Sequence, residues 1–359
     1  MKFSQFDKPN KIIEEFTDCI KYLNENQWFE TTPSMFYLIP KLNLALNKNA
    51  SLNLFFALTK EYRSNQSKIV RFKAIGYICL IAIAIKLKIA HLFVQIISLD
   101  GPLFYPAIIG GNNRLRMVDS SSKNAIVVAK DDASKFFTKN AIKAFASSIF
   151  SNKNIIPEIY IIDDRVYFEK QIDGIAINRI AQNKHQQLII STSIKKFFEI
   201  QNSYSREIPF KTFLRYKIWT IKNYVKKRNN PEIMKLLECF ISKCDLIYMK
   251  LGNIMVSICQ SHGDLNKGNV FLHKETLSII DWEYFMHRYS PYDSVIFKNN
   301  LRHLSFDEYK EFFSNNNERR ISLYLFLLEE LAFRIMNYKE DVSNSKAHIK
   351  MINDLLNKI

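Results

Sequence analysis

Residues 261–284, with the sequence SHGDLNKGNVFLHKETLSIIDWEY, contain the side chains of this chain that are best suited to chemistry. An apolar predicted strand leads into a polar loop that holds His262, Asp264 and Asn269. Two further predicted strands, joined by a polar turn, form a hairpin that ends on Asp281. This hairpin returns the Asn269 amide and the Asp281 carboxylate to the same end of a sheet. Oxygen ligands of this kind suit Mg²⁺, and Asp264 remains to accept a proton from a substrate hydroxyl.

A second polar turn, Gly110-Gly111-Asn112-Asn113, lies between two predicted strands. The chain has only 8 glycines in 359 residues, so two adjacent glycines indicate a position where a side chain does not fit. Backbone amides in such a turn can approach phosphate groups closely. Most glycine pairs are only hairpin turns, and this one gains weight because the next predicted strand, AIVVAK, ends on a lysine, Lys130.

The motif H-G-D-L-x-x-x-N, followed after the hairpin by I-I-D-W-E, resembles the catalytic signature of the aminoglycoside phosphotransferase and choline kinase-like family. Members of that family are relatives of protein kinases, and the resemblance covers roughly residues 104–293. It implies ATP and Mg²⁺ as cofactors, Asp264 as the catalytic base, and Asn269 and Asp281 as metal ligands.

The same resemblance implies three supporting residues and a nucleotide-binding set. His262 would hold the catalytic loop, Glu283 would form local hydrogen bonds, and Asp293 would brace the loop. The strand lysine matches the one that pairs with the α- and β-phosphates, and residues 167–173 resemble the hinge where backbone groups bind adenine. The implied nucleotide-binding residues are Gly110, Gly111, Asn112, Asn113, Lys130, Glu169 and Gln171.

The predicted elements indicate an α+β protein. Three strands, a helix and two strands predict one compact sheet layer with a packed helix, and mainly helical segments follow. Together with the resemblance, this order predicts a bilobal protein-kinase-like fold. Its parts are a helical N-terminal extension over 1–100, a small, mainly β amino lobe that binds nucleotide over 101–172, and a larger helical carboxy lobe with the catalytic loop over 173–359.

The predicted amino lobe departs from the family pattern at one point. Kinase-like sites pair the strand lysine with an acid on the following helix, yet no acidic residue lies between Asp132 and Glu158. Three alternatives are open: the acid comes from elsewhere, Lys130 contacts phosphate unaided, or the amino lobe has drifted. Two functional interpretations follow, an active phosphotransferase and a non-catalytic nucleotide-binding scaffold at a membrane surface.

Positive charge is abundant and unevenly distributed. The chain has 51 basic and 35 acidic residues, and its formal net charge of +16 favours an anionic partner. Between residues 62 and 99 there is no acid, and six basic residues surround the apolar run 74–85. Because a bilayer span needs about 20 apolar residues, this run predicts a packed core helix, with a membrane-surface helix and a true span as alternatives.

Residues 212–228 carry six basic residues, which form either a solvated helix face or a contact with an anionic acceptor or membrane.

These features predict an ATP-dependent phosphotransferase that moves the γ-phosphate to a hydroxyl group of a small molecule or saccharide. Because aminoglycosides are polycations, the charge favours a sugar, a glycan precursor or a lipid-linked saccharide as acceptor, followed by choline-like alcohols and then aminoglycosides. The N-terminal extension resembles that of kinase-like proteins of bacterial envelope-polysaccharide synthesis, which suggests an envelope-polysaccharide precursor.

Several other classes are disfavoured by what the sequence lacks. Zinc ligands, a recognition-helix signature and aromatic RNA-binding motifs are absent, so no specific nucleic-acid partner is expected. The five cysteines show no C-x-x-C spacing, which disfavours a disulfide scaffold and favours a reducing compartment. The polar start predicts no secretory signal. We therefore expect a cytoplasmic protein with weak peripheral contact at the inner face of the membrane.

Overall fold

The computed structural model describes residues 9–26, 31–63, 68–102, 106–111, 113–118, 124–151, 155–172, 174–179, 183–226, 231–299, 317–337, 350, 352–354 and 356–357. Asn112, one of the predicted nucleotide-binding residues, lies outside this set. The fold class is α+β, as the sequence predicts, with antiparallel strands and helices that are not in regular alternation.

The helices are α1 Pro9–Glu25, α2 Leu52–Leu58, α3 Lys60–Arg63, α4 Lys68–Lys86, α5 Lys135–Ala146, α6 Ser148–Ser151, α7 Lys184–Ser203, α8 Phe210–Lys226, α9 Pro231–Leu251, α10 Tyr292–Asn299 and α11 Asn317–Met336. The strands are β1 Thr31–Ile39, β2 Leu44–Asn47, β3 Gln95–Pro102, β4 Ala107–Gly110, β5 Arg114–Val118, β6 Asn124–Ala129, β7 Ile159–Ile161, β8 Val166–Lys170, β9 Ile175–Ala176, β10 Arg206–Pro209, β11 Met255–Ser261, β12 Val270–His273, β13 Thr276–Ile279 and β14 Met286–Tyr289. Short 3₁₀ turns lie at Pro40–Leu42, Ala90–Leu92 and Trp282–Tyr284.

The chain forms two compact units. The first unit contains residues 1–191 and 267–283, and the second contains residues 192–266 and 284–359. The hairpin β12–β13 therefore belongs to the first unit although it follows most of the second in the sequence. These divisions differ from the lobe boundaries predicted at residues 100 and 172.

An eight-stranded antiparallel sheet forms the centre of the first unit, in the order β3-β1-β2-β4-β5-β6-β8-β7. The part from β4 to β7 corresponds to the strands predicted for the amino lobe. The three strands β3, β1 and β2 come from the N-terminal extension, for which the sequence predicted helices alone. This difference has a physical cause: β1 is covered by helices on both faces, so its MFYLI segment is continuously apolar and lacks the alternation that identifies a half-buried strand.

Each face of this sheet packs against its own helices. Strand pairing puts directly opposed residues on the same face, so the two faces follow from the register. On one face, here called the α1 face, α1 residues such as Phe16 pack on Ile126 and Val128. On the opposite face, here called the α4 face, residues of α2 and α4 such as Phe55 and Ile78 pack with Leu44, Val118 and Ala125.

Helix α4 contains the apolar run that the sequence analysis singled out. Ala74, Ile78 and Ile81 are buried against the sheet, so the predicted core contact holds for one side of the helix. The other side is exposed: Phe72 is 79% and Ile83 is 56% accessible to solvent. Across the part of the chain that the structure describes, no helix combines the length and the apolar character needed to cross a bilayer.

The second unit contains the part of α7 from residue 192 onward, α8 to α11 and the three-stranded antiparallel sheet β10-β11-β14. Residues of α8 and α9 such as Phe213, Tyr224 and Phe240 are fully buried. Tyr292, Ile296 and Phe326 form a core between α10 and α11. This unit is mainly helical, in agreement with the prediction for the C-terminal half of the chain.

Candidate functional site

In the second unit, the loop that follows β11 is fixed by Asp293 at the start of α10. The Asp293 carboxylate accepts hydrogen bonds from the backbone N–H groups of His262 (2.7 Å) and Gly263 (3.0 Å) and from the Gln201 side chain (2.8 Å). His262 Nδ1 accepts a hydrogen bond of 3.1 Å from the backbone N–H of Asp264. His262 and Asp293 are fully buried, so the loop has a defined conformation. These contacts are the ones that the predicted roles require, in which His262 holds the loop and Asp293 braces it.

Gly263 allows the chain to turn sharply just before Asp264. Its φ is +79°, a conformation that side chains rarely adopt, and a Cβ at this position would lie 2.5 Å from the Tyr284 carbonyl oxygen. The next side chain, Asp264, is partly exposed, and its Oδ1 accepts a hydrogen bond of 3.1 Å from the Asn266 amide. The predicted base is therefore presented by a tight and well-braced turn.

In the first unit, Asn269 and Asp281 lie at the open end of the β12–β13 hairpin. The Asn269 carbonyl accepts a hydrogen bond of 3.0 Å from the backbone N–H of Ile280, which holds the two predicted metal ligands at the same end of the hairpin. Asp281 has a φ of +69°, in the left-handed region. Such strain in a residue other than glycine is concentrated at functional positions in proteins. The hairpin thus has the geometry that the sequence predicts.

Two arginines of β5 converge on Asp281. Arg114 forms an ion pair with Asp281 Oδ1, and Arg116 Nη2 lies 3.6 Å from the same oxygen atom. Arg114 also contacts Glu283 at 3.3 Å, while Arg116 lies 3.7 Å from Glu169. The cluster contains three carboxylates and two guanidinium groups. It is open to solvent at Asp281, whose side chain is 29% exposed.

The charges of this cluster support one another. Burial alone would lower the pKa of Arg114, but Tyr167, Glu283 and Asp281 raise it above the ordinary arginine value. Burial raises the pKa of Tyr167, whose hydroxyl group accepts a hydrogen bond from Arg114. Both arginines are therefore charged and the Tyr167 hydroxyl is neutral at physiological pH.

Lys130, the predicted phosphate-binding lysine, lies on the α1 face. Its Nζ forms an ion pair with Glu15 of α1, and the Lys130 side chain is only 6% exposed. Of the three alternatives for its acidic partner, the structure therefore supports the first, in which the acid comes from elsewhere. The acid comes from the N-terminal helix rather than from α5, and it holds Lys130 on the face opposite to Arg114 and Arg116.

The glycine turn is closed by its own backbone. Gly110 donates its N–H to the Asn43 carbonyl at 2.8 Å, and Gly111 donates to the Arg114 carbonyl at 2.9 Å. A Cβ on Gly111 would lie 2.9 Å from that Arg114 oxygen atom, which explains the glycine. The Asn113 amide is 3.5 Å from Glu283 Oε2. The turn thus orients Asn113 and Arg114, while both glycine amides bond within the protein rather than pointing to a ligand.

A cavity of about 350 Å³ opens on the α4 face of the sheet. Its walls include Arg116 and Glu169 from the sheet, Gln171 and Ile172 from the predicted hinge, and Phe271 from the hairpin. Residues of α2 and α3 complete the wall, so the N-terminal extension takes part in it. The predicted hinge residues Glu169 and Gln171 therefore line a pocket, and Gln171 is held by a hydrogen bond of 3.3 Å to the Asn124 carbonyl.

The donor set of the hairpin suits Mg²⁺ in its chemistry. An amide oxygen atom and a carboxylate are hard ligands, and Mg²⁺ commonly takes few protein ligands because waters and phosphates supply the others. Among the described residues there is no cluster of three or more His, Cys, Asp and Glu side chains that could hold a metal without such help. Asp281 and Asn269 would hold the ion, and Arg114 and Arg116 compete with it for Asp281.

Three partners of the predicted site residues were not identified from the sequence: Arg114, Arg116 and Glu15. The alternation of β5 could have identified the arginines, because Arg114 and Arg116 are two residues apart and share one face. The same rule puts Lys130 on the face of Ile126 and Val128, because it follows them at even spacing. Glu15 carries no comparable signal, since its partner is 115 residues away in the chain.

Comparison with known proteins finds distant structural neighbours. No family model and no curated protein matches the sequence. The neighbours are small-molecule kinases, as the resemblance predicts. Aminoglycoside phosphotransferase APH(2'')-Ib, with ADP bound, is 14% identical with a TM-score of 0.44, over 69% of this chain and 90% of that chain. The choline kinase LicA from Streptococcus pneumoniae is 12% identical with a TM-score of 0.45, over 70% and 92%. An ethanolamine kinase from Plasmodium vivax is 16% identical with a TM-score of 0.40, over 86% and 94%.

Proposed function

We propose that this chain is an ATP-dependent phosphotransferase that transfers the γ-phosphate to a hydroxyl group of a small molecule or saccharide. The observation that carries the proposal is the loop after β11, in which His262, Gly263 and Asp293 fix the position of Asp264. Asp264 is followed after five residues by Asn269 and after seventeen by Asp281, which supply oxygen ligands. Because identities to the structural neighbours are low, the proposal rests on these residues of the chain itself.

In the proposed reaction, Asp264 accepts the proton of the acceptor hydroxyl group. The hydroxyl oxygen forms a bond to the γ-phosphorus, the bond from that phosphorus to the β,γ-bridging oxygen breaks, and ADP leaves with that oxygen. Asn269 and Asp281 would hold Mg²⁺, which would supply positive charge to neutralise the phosphates. Asp293 keeps the loop rigid, so the carboxylate of Asp264 needs little reorganisation when the proton moves.

A saccharide or glycan-precursor hydroxyl group is the acceptor class that we propose. The net charge of +16 disfavours a polycationic acceptor such as an aminoglycoside. On α8, Arg215, Lys222 and Lys226 are exposed and provide positive charge for an anionic acceptor. Lys217, from the same basic segment, is buried and has a structural role, so the segment is not a uniform binding surface.

The alternative function is nucleotide binding without catalysis. It is favoured by the double ion pair of Asp281 with Arg114 and Arg116, which occupies the carboxylate that an active enzyme would offer to metal. The two functions differ in one respect that can be measured: both predict nucleotide binding, and only the phosphotransferase predicts turnover of the γ-phosphate.

Thermal shift with ATP and Mg²⁺, compared with ATP and chelator, tests nucleotide binding. We expect stabilisation that depends on Mg²⁺, together with slow release of phosphate from ATP in the absence of acceptor. Asp264→Asn should keep the stabilisation and lower phosphate release by about 10²-fold or more, because only the base is removed. Asp281→Asn should lose the Mg²⁺-dependent part of the stabilisation itself.

Asp245→Asn, an exposed substitution on α9, is the matched control and should behave as the wild type. Stabilisation without any phosphate release in the wild type would support the non-catalytic alternative. The absence of stabilisation under either condition would contradict both functions. Equal phosphate release from the wild type and Asp264→Asn would remove Asp264 from the role of base.

We also propose weak association of the protein with the cytoplasmic face of an anionic membrane, through the exposed side of α4. Ile69, Phe72 and Ile83 are 70%, 79% and 56% exposed on that side, while the opposite side of α4 is buried against the sheet. Exposed basic residues accompany this apolar stripe, namely Lys68, Arg71, Lys73, Lys86 and Lys88. An apolar face with basic flanks suits the interface of an anionic leaflet, where each basic residue contributes about 1 kcal/mol.

Sedimentation with vesicles of phosphatidylcholine and phosphatidylserine at low and high salt tests this surface. We expect binding at low salt that is reduced at high salt and abolished by Phe72→Ser combined with Ile83→Ser. Leu188→Ser combined with Met249→Ser, which changes exposed apolar residues on α7 and α9, should bind as the wild type. Equal recovery of the wild type in the supernatant with and without vesicles would contradict the proposal.

A further inference from the structure

The two arginines of β5 and the lysine at the end of β6 lie on opposite faces of one sheet. Arg114 is paired with Ala129 and Arg116 with Val127, so these four residues share the α4 face. Lys130 is one residue beyond Ala129 and is held on the α1 face by Glu15. The cavity that the hinge lines opens on the α4 face and includes Arg116.

The position of Arg116 connects this cavity with the candidate metal ligand. Its guanidinium group lies 3.6 Å from Asp281 and 3.7 Å from Glu169, and its side chain remains 27% exposed. Arg114, in contrast, is 4% exposed and is bound by Asp281, Glu283 and Tyr167. Arg114 therefore has its acceptors within the protein, while Arg116 has an accessible guanidinium group that can turn to a ligand.

We propose that Arg116, supported by Arg114, and not Lys130, is the cationic side chain that binds the phosphates of the nucleotide, and that it exchanges Asp281 for phosphate when a metal binds. This inference rests on the proposed function. A guanidinium group and Mg²⁺ compete for the same carboxylate oxygen because both are positively charged. A metal at Asp281 therefore displaces Arg116, and two phosphate oxygens provide the planar guanidinium group with a two-point acceptor.

The exchange makes an unusual pair of predictions for one substitution. Arg116→Gln removes a phosphate ligand, so ADP should bind more weakly. It also removes the competitor for Asp281, so a divalent metal alone should bind more tightly. Opposite changes in two affinities are not expected from a residue that only stabilises the fold, because loss of structure would weaken both.

Calorimetric titration provides the test, with Mn²⁺ alone, ADP with chelator, and ADP with Mg²⁺ as the probes. For Arg116→Gln we expect about tenfold weaker binding of ADP with Mg²⁺, from the loss of a charge-assisted hydrogen bond to phosphate. With chelator the change should be smaller, because without a metal Arg116 stays paired with Asp281. We expect about threefold tighter binding of Mn²⁺ alone. Arg116→Lys should recover part of the ADP affinity, because it keeps the charge but not the two-point geometry. Lys139→Gln, which removes an exposed cation of α5, is the control and should match the wild type.

Lys130→Gln is the decisive comparison. A larger loss of ADP affinity in Lys130→Gln than in Arg116→Gln would overturn the assignment, and so would unchanged ADP affinity in Arg116→Gln. Weaker binding of both ADP and Mn²⁺ in Arg116→Gln would overturn the exchange. Absence of nucleotide binding by the wild type would overturn the proposed function, and this inference with it, whereas binding that is indifferent to Arg116 would overturn this inference alone.

Discussion

Each of the two units contains a cluster of buried charge, and the two clusters differ in how completely they are closed. In the second unit, Glu329 accepts hydrogen bonds from Lys217 at 2.6 Å, from Arg288 at 2.8 Å and from the backbone N–H of Tyr289 at 3.0 Å. The side chains of Lys217, Arg288 and Glu329 are at most 1% exposed. In the first unit, the corresponding carboxylate, Asp281, also contacts two cations but is 29% exposed.

The difference separates a structural cluster from one that is suited to ligands. A closed cluster has no access for an ion or phosphate, so its charges serve the fold and specify how α8, β14 and α11 pack. An open cluster keeps part of its charge in contact with solvent and can exchange a partner within the protein for a ligand. Burial, rather than the number of charges, distinguishes the two, and the comparison can be tested by substituting one residue at a time.

The largest effect is expected for Glu329→Gln. Removing the carboxylate leaves Lys217 and Arg288 as buried cations without the carboxylate that both contact, which should lower the free energy of unfolding by about 3–5 kcal/mol. Denaturation by urea measures this loss. Asp281→Asn should cost less, about 1 kcal/mol, because its carboxylate is partly solvated. Equal losses for the two substitutions would contradict the distinction, and Glu199→Gln, in an exposed pair with Lys195 on α7, should be nearly neutral.

The next effect concerns Gly263, which contacts the closed cluster. An added Cβ would lie 2.5 Å from the Tyr284 oxygen atom and 2.8 Å from Arg288 Nε, in a backbone conformation with φ of +79°. We expect Gly263→Ala to lower the free energy of unfolding by about 2–4 kcal/mol, from backbone strain and overpacking together. Gly252→Ala is the matched control, because its φ is +62° and nothing lies within 4 Å of the added Cβ. A loss as small as that of the control would mean that the loop adapts to the extra atom.

A smaller effect is expected when the pair on the α1 face is broken. Lys130→Met leaves the partly buried Glu15 without this cation and should lower the free energy of unfolding by about 1–2 kcal/mol. Glu15→Gln combined with Lys130→Met should recover part of the loss, because no charge is then left in the interface. The double-mutant cycle in urea measures the coupling between the two residues. A coupling of zero would show that the ion pair contributes nothing to stability.

The smallest effect is a dependence on pH. Desolvation by burial lowers the pKa of Lys217 to about 8, although Glu329 opposes the shift. An unfolded lysine has a pKa of about 10.4. Between these values the unfolded chain binds more protons than the folded chain, so the contribution of Lys217 to the free energy of unfolding rises with pH, by at most about 1.4 kcal/mol per pH unit. The difference between the wild type and Lys217→Met, measured from pH 8 to 10, should grow with pH. A constant difference would contradict the shifted pKa.

The sequence predicted those parts of the molecule that depend on local signals. The helix predicted over 11–24 corresponds to α1, and the strand predicted over 125–130 corresponds to β6, because each has a clear period of apolar residues. The hairpin that ends on Asp281 was predicted for the same reason. The roles of Asp264 as base, of Asn269 and Asp281 as metal ligands and of the nucleotide-binding residues stay predictions.

Long-range contacts explain what the sequence did not predict. Strand β1 includes Pro33, which has no N–H and argues against a strand inside a sheet, yet it pairs with β3 more than fifty residues later in the chain. The partner of Lys130 could not be predicted either, because a charged residue such as Glu15 on an amphipathic helix does not indicate which residue it contacts in the folded protein. The shared face of Arg114 and Arg116 could have been predicted, because alternation puts residues two apart in a strand on the same face.

The continuity of the eight-stranded sheet determines how the protein could be shortened. Strand β2 pairs with β4 from Leu44 opposite Ile109 to Leu46 opposite Ala107, so the extension and the predicted amino lobe share one hydrogen-bonded ladder. Removal of residues 1–102 would leave β4 with a free row of N–H and C=O groups and would uncover the apolar side chains beneath α1 and α4. Open strand edges of this kind pair with other chains and cause aggregation. A shortened form that begins at the kinase-like motifs would therefore be expected to aggregate, and any useful truncation has to keep β1, β2 and β3 together with the helices that cover them.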